Sequence, residues 1–143
     1  MAIANLHETL LFYTQNKARL IDEMDRLQHE RTNALYSQGD VRSIKAQDEQ
    51  EIKNFYKALY DDSEEYQGKY KDYTEIPDFE DEIEKINAKY QEQLEQLTAW
   101  ETQLEAQITT NSAELEETNA YIESIKSMLQ SNIQEDYNYG LSS

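Results

Sequence analysis

An all-α fold, a long antiparallel helical hairpin or coiled coil, is what this sequence predicts, and three observations carry the prediction. Apolar residues hold a heptad phase over most of the 143 residues. Turn-forming residues are scarce, with three glycines and one proline. Charged residues make up 30% of the chain against 38% hydrophobic, too polar for a thick core but suited to helices that each bury one narrow stripe.

The first run reads Leu6, Leu10, Tyr13, Leu20, Met24, Leu27 and Ala34, and continues past Gly39 at Val41, Ile52, Phe55, Leu59, Tyr66 and Tyr73. Such spacing lets helices pack along a seam. Lys17, Arg31, Lys45, Asp48, Asp62 and Lys69 interrupt it; charges at such positions reach water or an opposite charge on the facing helix. Gly39-Asp40 is the one soft point. A tight turn there would not require the later residues to keep the earlier phase, yet they keep it. One helix over about 3–73, kinked at 39–40, therefore stands ahead of the alternative, a three-helix bundle with a turn at Gly39-Asp40.

A turn is expected at 74–77, where Pro77 cannot sit inside a helix and restricts Ile76 to extended geometry. Asp78, Glu80, Asp81 and Glu82 then supply the negative charge that a helix N-terminus prefers. The second helix, about 78–136, carries Phe79, Ile83, Ile86 and Tyr90. After a one-residue slip it continues with Leu94, Leu97, Leu104, Ile108, Leu115, Ile122, Ile125 and Leu129. Thr109 to Ser112 is its weakest stretch, where Asn111 and Glu114 would form a capping box if the helix broke. Residues 1–136 thus read as one coiled-coil domain, and 137–143, with Gly140, as a flexible tail.

Folding back at 75–77 pairs positions whose numbers sum to about 152, apolar with apolar and Lys17 with Glu135. That register leaves residues 2–14 beyond the end of the second helix. Ile3, Leu6, Leu10, Leu11, Phe12 and Tyr13 then have no partner in their own chain, which marks them as a self-association surface. Eleven tyrosines add a second candidate, because Tyr56, Tyr60 and Tyr70 lie beside the seam and suit a contact flank.

Charge excludes several functions. The net charge is -17, and residues 78–143 carry fifteen acids against three bases. Such a surface repels nucleic acid and anionic lipid, which are held by Lys and Arg. It offers instead an acidic partner surface, Glu114, Glu116 and Glu117, to a basic protein. No apolar run approaches the ~20 residues that span a bilayer. There is no cysteine, hence no disulfide or thiolate metal site. The N-terminus shows no cleavable leader, so the chain reads as cytoplasmic or exported without a cleaved signal peptide.

Catalysis has no foundation in the motifs. His7 and His29 are the only histidines, and the glutamates that a carboxylate-bridged di-iron bundle would place three residues before them are Ala4 and Arg26. No phosphate loop, nucleophile elbow or zinc spacing occurs. Asp61 to Glu65 followed by Gly68 only distantly follows a calcium loop, its glycine two positions late. The expectation is a non-enzymatic structural protein without metal or cofactor, a self-assembling subunit of a homo-oligomer or filament; the alternative is an acidic adaptor, chaperone or scaffolding protein. In architecture alone it is similar to exported helical hairpins that polymerise and to acidic phage scaffolding proteins, a likeness that does not fix function.

Overall fold

The computed structural model describes residues 2–142. Helix α1 spans Ala2–Asp62, a short helix α2 spans Glu64–Lys69, a 3₁₀ turn spans Tyr73–Glu75, and helix α3 spans Pro77–Ser142. No strand occurs among the described residues, and α1 packs against α3 as an all-α hairpin. Helix α1 is unbroken at Gly39-Asp40 and no described glycine has a positive φ, so the three-helix alternative does not occur. Helix α3 runs to Ser142 rather than ending near 136; Ser143, the last residue of the expected tail, lies outside the described residues. By contacts the chain divides into two compact units, residues 31–103 and the two chain ends up to 30 and from 104.

In the unit of residues 31–103, the first helix ends eleven residues earlier than its heptads suggest, at Asp62. Ser63 is extended and its hydroxyl accepts from the Tyr66 amide, capping α2. Gln67 donates to the Tyr60 and Asp61 carbonyls at 3.2 and 2.9 Å, satisfying acceptors that the end of α1 would otherwise leave bare. Asp72 caps the 3₁₀ turn through the Thr74 amide at 2.8 Å. Ile76 is extended ahead of Pro77, the first residue of α3.

Aromatic packing locks this turn. Tyr56, Ile76 and Phe79 are buried together, with Tyr60, Tyr70 and Tyr73 against them. Phe79 receives Tyr56 and Tyr73 edge-on at centroid distances of 5.6 and 5.3 Å. The Tyr60 hydroxyl donates to the carbonyls of Tyr70 and Lys71. Burial, then a hydrogen bond to Glu82, pushes the Tyr56 phenol up to about 12. The three tyrosines expected as a contact flank are thus engaged within the chain, Tyr56 fully and Tyr60 and Tyr70 as half-buried parts of the turn.

Because residues 63–76 all belong to the turn, the fold-back centres near residue 69 and not 76. Tyr56 faces Phe79 and Glu82, Asp48 faces Tyr90, and Gln38 faces Glu101. Facing positions therefore sum to between 135 and 139 here, about two heptads short of the expected 152. The seam also changes phase. It runs Ala34, Gln38, Val41, Lys45, Asp48, Ile52, Tyr56 and Tyr60, while Phe55 is 60% exposed. Three consecutive steps of four replace the alternation of four and three, a stutter that unwinds a coiled coil locally. Helix α3 makes its own double step of four at Ile86, Tyr90 and Leu94, all buried or half-buried. The Tyr90 hydroxyl donates to Asp48, so both helices stutter at one level. That bond, and then burial, hold the Tyr90 phenol above its ordinary value.

Glu101 gathers the polar groups of the same unit. Gln38, 5% exposed, donates to it at 3.1 Å, and Arg31 reaches it at 3.8 Å. The seam cation thus meets an opposite charge across the pair, an ion pair worth about 0–1 kcal/mol at this exposure.

In the unit of the two chain ends, the core is Leu20, Leu27, Leu104, Ile122, Ile125 and Leu129. The α3 positions keep the phase read from the sequence. Asn111 and Thr118 sit on that seam and are buried too. Helix α3 is continuous through them, so no capping box forms. Asn111 instead donates its side-chain amide to the Leu20 carbonyl across the seam at 3.0 Å. Asn16 donates to the Thr118 hydroxyl at 3.4 Å.

Candidate protein interface

The corrected register decides where the first residues of α1 lie. Tyr13 stacks on Tyr121 of α3 with ring centroids 5.2 Å apart, and Leu6 lines a hollow of about 610 Å³ with Met128 and Asn132. The expected overhang is therefore absent, because α3 is level with these turns. Of the six residues assigned to self-association, Ile3, Leu6, Leu10 and Tyr13 are half-buried. Leu11 and Phe12 remain outside, 59% and 64% exposed. A helix cannot bury neighbours 100° apart against one partner, which is why these two point away from the seam.

Phe12 meets Tyr13 edge-on at 5.4 Å, so Phe12, Tyr13 and Tyr121 form a continuous aromatic surface across the two helices. Beside it lies a groove of about 320 Å³ lined by Tyr13, Asn16, Glu114, Glu117, Thr118 and Tyr121. The Tyr121 hydroxyl donates to Glu117 at 3.0 Å, and this bond, with the charge of Glu117, holds the phenol above its ordinary value. Tyr121 is thus a neutral donor that fixes one carboxylate, while its ring is left 45% exposed. No basic side chain joins Glu114 in the groove lining. On α1, Arg19 donates to Asn16 at 2.8 Å, and the half-buried Lys17 adjoins Asn16 in the chain.

The structure brings together residues that the sequence assigned to different surfaces: Tyr13 from the apolar end, Glu114 and Glu117 from the acidic one. Glu116 is exposed and lines neither hollow. Sequence reasoning missed Tyr121, Thr118 and Asn16. A signal was present for Tyr121, since Glu114, Glu117, Tyr121, Ser124, Met128 and Ser131 recur at steps of three and four, a second heptad row beside the seam.

The carboxylates of Glu114 and Glu117 lie in an open groove. Among the described residues no cluster of His, Cys, Asp or Glu is arranged to hold a metal ion, and no helix is long and apolar enough to cross a membrane. The geometry presents exposed aromatic side-chain area beside two carboxylates. No family model, no curated protein and no solved structure matches the chain.

Proposed function

We propose that this chain is a non-enzymatic structural protein, a coiled-coil subunit that associates with copies of itself through hydrophobic side chains its own hairpin leaves outside the seam. One observation carries the reading: each unit keeps large apolar side chains mostly exposed, Leu11, Phe12 and Met128 in one, Tyr36 and Phe55 in the other. Two helices bury only facing stripes, and added helices cover what remains. Salt would favour such assembly by screening the net charge of -17. Sedimentation from low to high micromolar protein, at low and high salt, tests this. Growth in mass that Leu11→Ser with Phe12→Ser abolishes supports it; a fixed monomer under every condition overturns it.

A second reading, an acidic adaptor for a basic partner, is favoured by the meeting of Glu114 and Glu117 with the Tyr13–Tyr121 stack. On that reading the mass stays constant and binding weakens in salt.

A further inference from the structure

We propose that the flank of α3 from Glu114 to Ser131, together with Leu6, Phe12, Tyr13 and Asn16 of α1, is the docking face for one basic amphipathic helix of a partner protein. This rests on the adaptor reading and deepens it by giving the surface and the occupant.

The spacing supplies the first argument. Glu114, Glu117 and Tyr121 line the upper groove, and Ser124, Met128 and Ser131 line the hollow that follows along α3. Steps of three and four place these six residues on one face of α3, adjoining the seam row of Thr118, Ile122, Ile125 and Leu129. A helix with two adjacent heptad rows packs against two neighbours at once. Helix α1 fills the first row and meets the second at its edge, through the Tyr13–Tyr121 stack and Leu6, which leaves Tyr121 45% and Met128 51% exposed. From Glu114 to Ser131 the row is about 26 Å long at about 1.5 Å per residue, the length of a partner helix of roughly 17 residues.

Chemistry along the row selects the occupant. Leu6, Tyr121 and Met128, with Phe12 beside Tyr13, give the row apolar and aromatic area among small polar side chains, Ser124 and Ser127 included, and take a stripe of leucine-like side chains. Serines at the far end are small enough for a helix to approach closely. At the near end stand Glu114 and Glu117 beside an exposed tyrosine ring, without a cation in the groove lining. A lysine or arginine there lays its stem on the Tyr121 ring and its charge between the two carboxylates. A basic helix fits this row better than a second copy does, because residues 104–143 carry seven acids and one base and like charges repel; self-association through Phe12 and Met128 and this docking are thus alternative uses of one surface.

The test uses the full chain and an 18-residue synthetic helix with leucine on one stripe and lysine elsewhere, its glutamate counterpart serving as control. Fluorescence anisotropy of the labelled peptides measures affinity, and amide chemical shifts locate the site. The lysine peptide is expected to bind, shifting residues 114–131 and 6–16, while the glutamate peptide does not. Tyr121→Ala and the pair Glu114→Gln with Glu117→Gln should each weaken binding about tenfold. The exposed pair Glu84→Gln with Glu92→Gln should change it less than about twofold. Tyr121→Phe keeps the ring but loses the bond to Glu117 and should bind between the parent and Tyr121→Ala, while an unchanged unfolding midpoint of Tyr121→Ala separates loss of the surface from loss of the fold.

Equal weakening by the distant pair overturns the docking face and leaves a diffusely acidic adaptor. Absence of binding by either peptide overturns both the face and the adaptor reading. Concentration-dependent mass that Tyr121→Ala removes overturns it in favour of a second copy on this surface.

Discussion

The turn and the unit of the chain ends place their aromatic rings differently, although Tyr36 and Phe55 stay exposed elsewhere in the unit that holds the turn. Around the turn, aromatic rings point inward: Tyr56 and Phe79 are buried, and Tyr60 spends its hydroxyl on turn carbonyls. Near the chain termini the rings point outward, with Phe12 and Tyr121 exposed and the seam filled by aliphatic side chains with Asn111 and Thr118 between them. A ring that closes a turn contributes to stability, whereas one that rides beside a seam keeps much of its area open to solvent. Position relative to the seam separates the two roles, and residue type does not.

The largest expected effect tests that separation. Tyr56→Ala and Phe79→Ala should each cost about 3–5 kcal/mol in urea unfolding, because each leaves a cavity in a closed cluster. Phe12→Ala and Tyr121→Ala should cost less than about 1 kcal/mol, as exposed sites do. Similar losses in both sets would break the comparison and make the outward rings part of the fold.

Much of this was legible in the sequence. The α3 seam from Tyr90 to Leu129 was read residue for residue, since an uninterrupted heptad fixes a face. So was the extended Ile76 before Pro77, a steric rule that needs no tertiary context. The register was not legible, because heptads repeat and a slip of two whole heptads keeps every apolar pair apolar. What fixed it was the end of α1 at Asp62, caused by side chains of the turn, Ser63 and Gln67, reaching backbone groups. Nothing in apolar periodicity reports such bonds. Two consequences followed for the candidate site: the overhang vanished, and Tyr13 came level with Tyr121.

Asn111 is the residue that opposes such a slip, and it provides the intermediate prediction. Its buried amide finds the Leu20 carbonyl only in the observed register; after a slip the same group would be buried without that acceptor, costing about 1–3 kcal/mol. Asn111→Ala should destabilise the chain by about 1 kcal/mol. Asn111→Leu should leave stability equal or higher while loosening the register, as removal of a polar seam residue does in coiled coils. Cysteines introduced in place of Tyr13 and Tyr121, joined by a short crosslinker, read this out in a chain that has no cysteine of its own. With Asn111 present that pair should crosslink and a pair at 13 and 128 should not. With leucine in its place both should react, and a single product would remove Asn111 from the account of register.

Gly39 carries the smallest effect and bears on the unit that contains the turn. It lies inside α1 with no positive φ, and a Cβ added there would meet nothing within 4 Å. Gly39→Ala should therefore stabilise the chain by about 0.5–1 kcal/mol, from helix propensity and a less disordered unfolded state. The sign matters more than the size. A turn at Gly39-Asp40 that relied on left-handed backbone would make alanine destabilising, since a side chain pays a steric cost there that glycine avoids. Thermal unfolding followed at the aromatic cluster, by the near-ultraviolet signal of Tyr56 and its neighbours, reads the change in the unit that holds Gly39. A rise in that midpoint marks residue 39 as an ordinary helical position within the stretch that ends at the turn, and a fall would restore the three-helix arrangement.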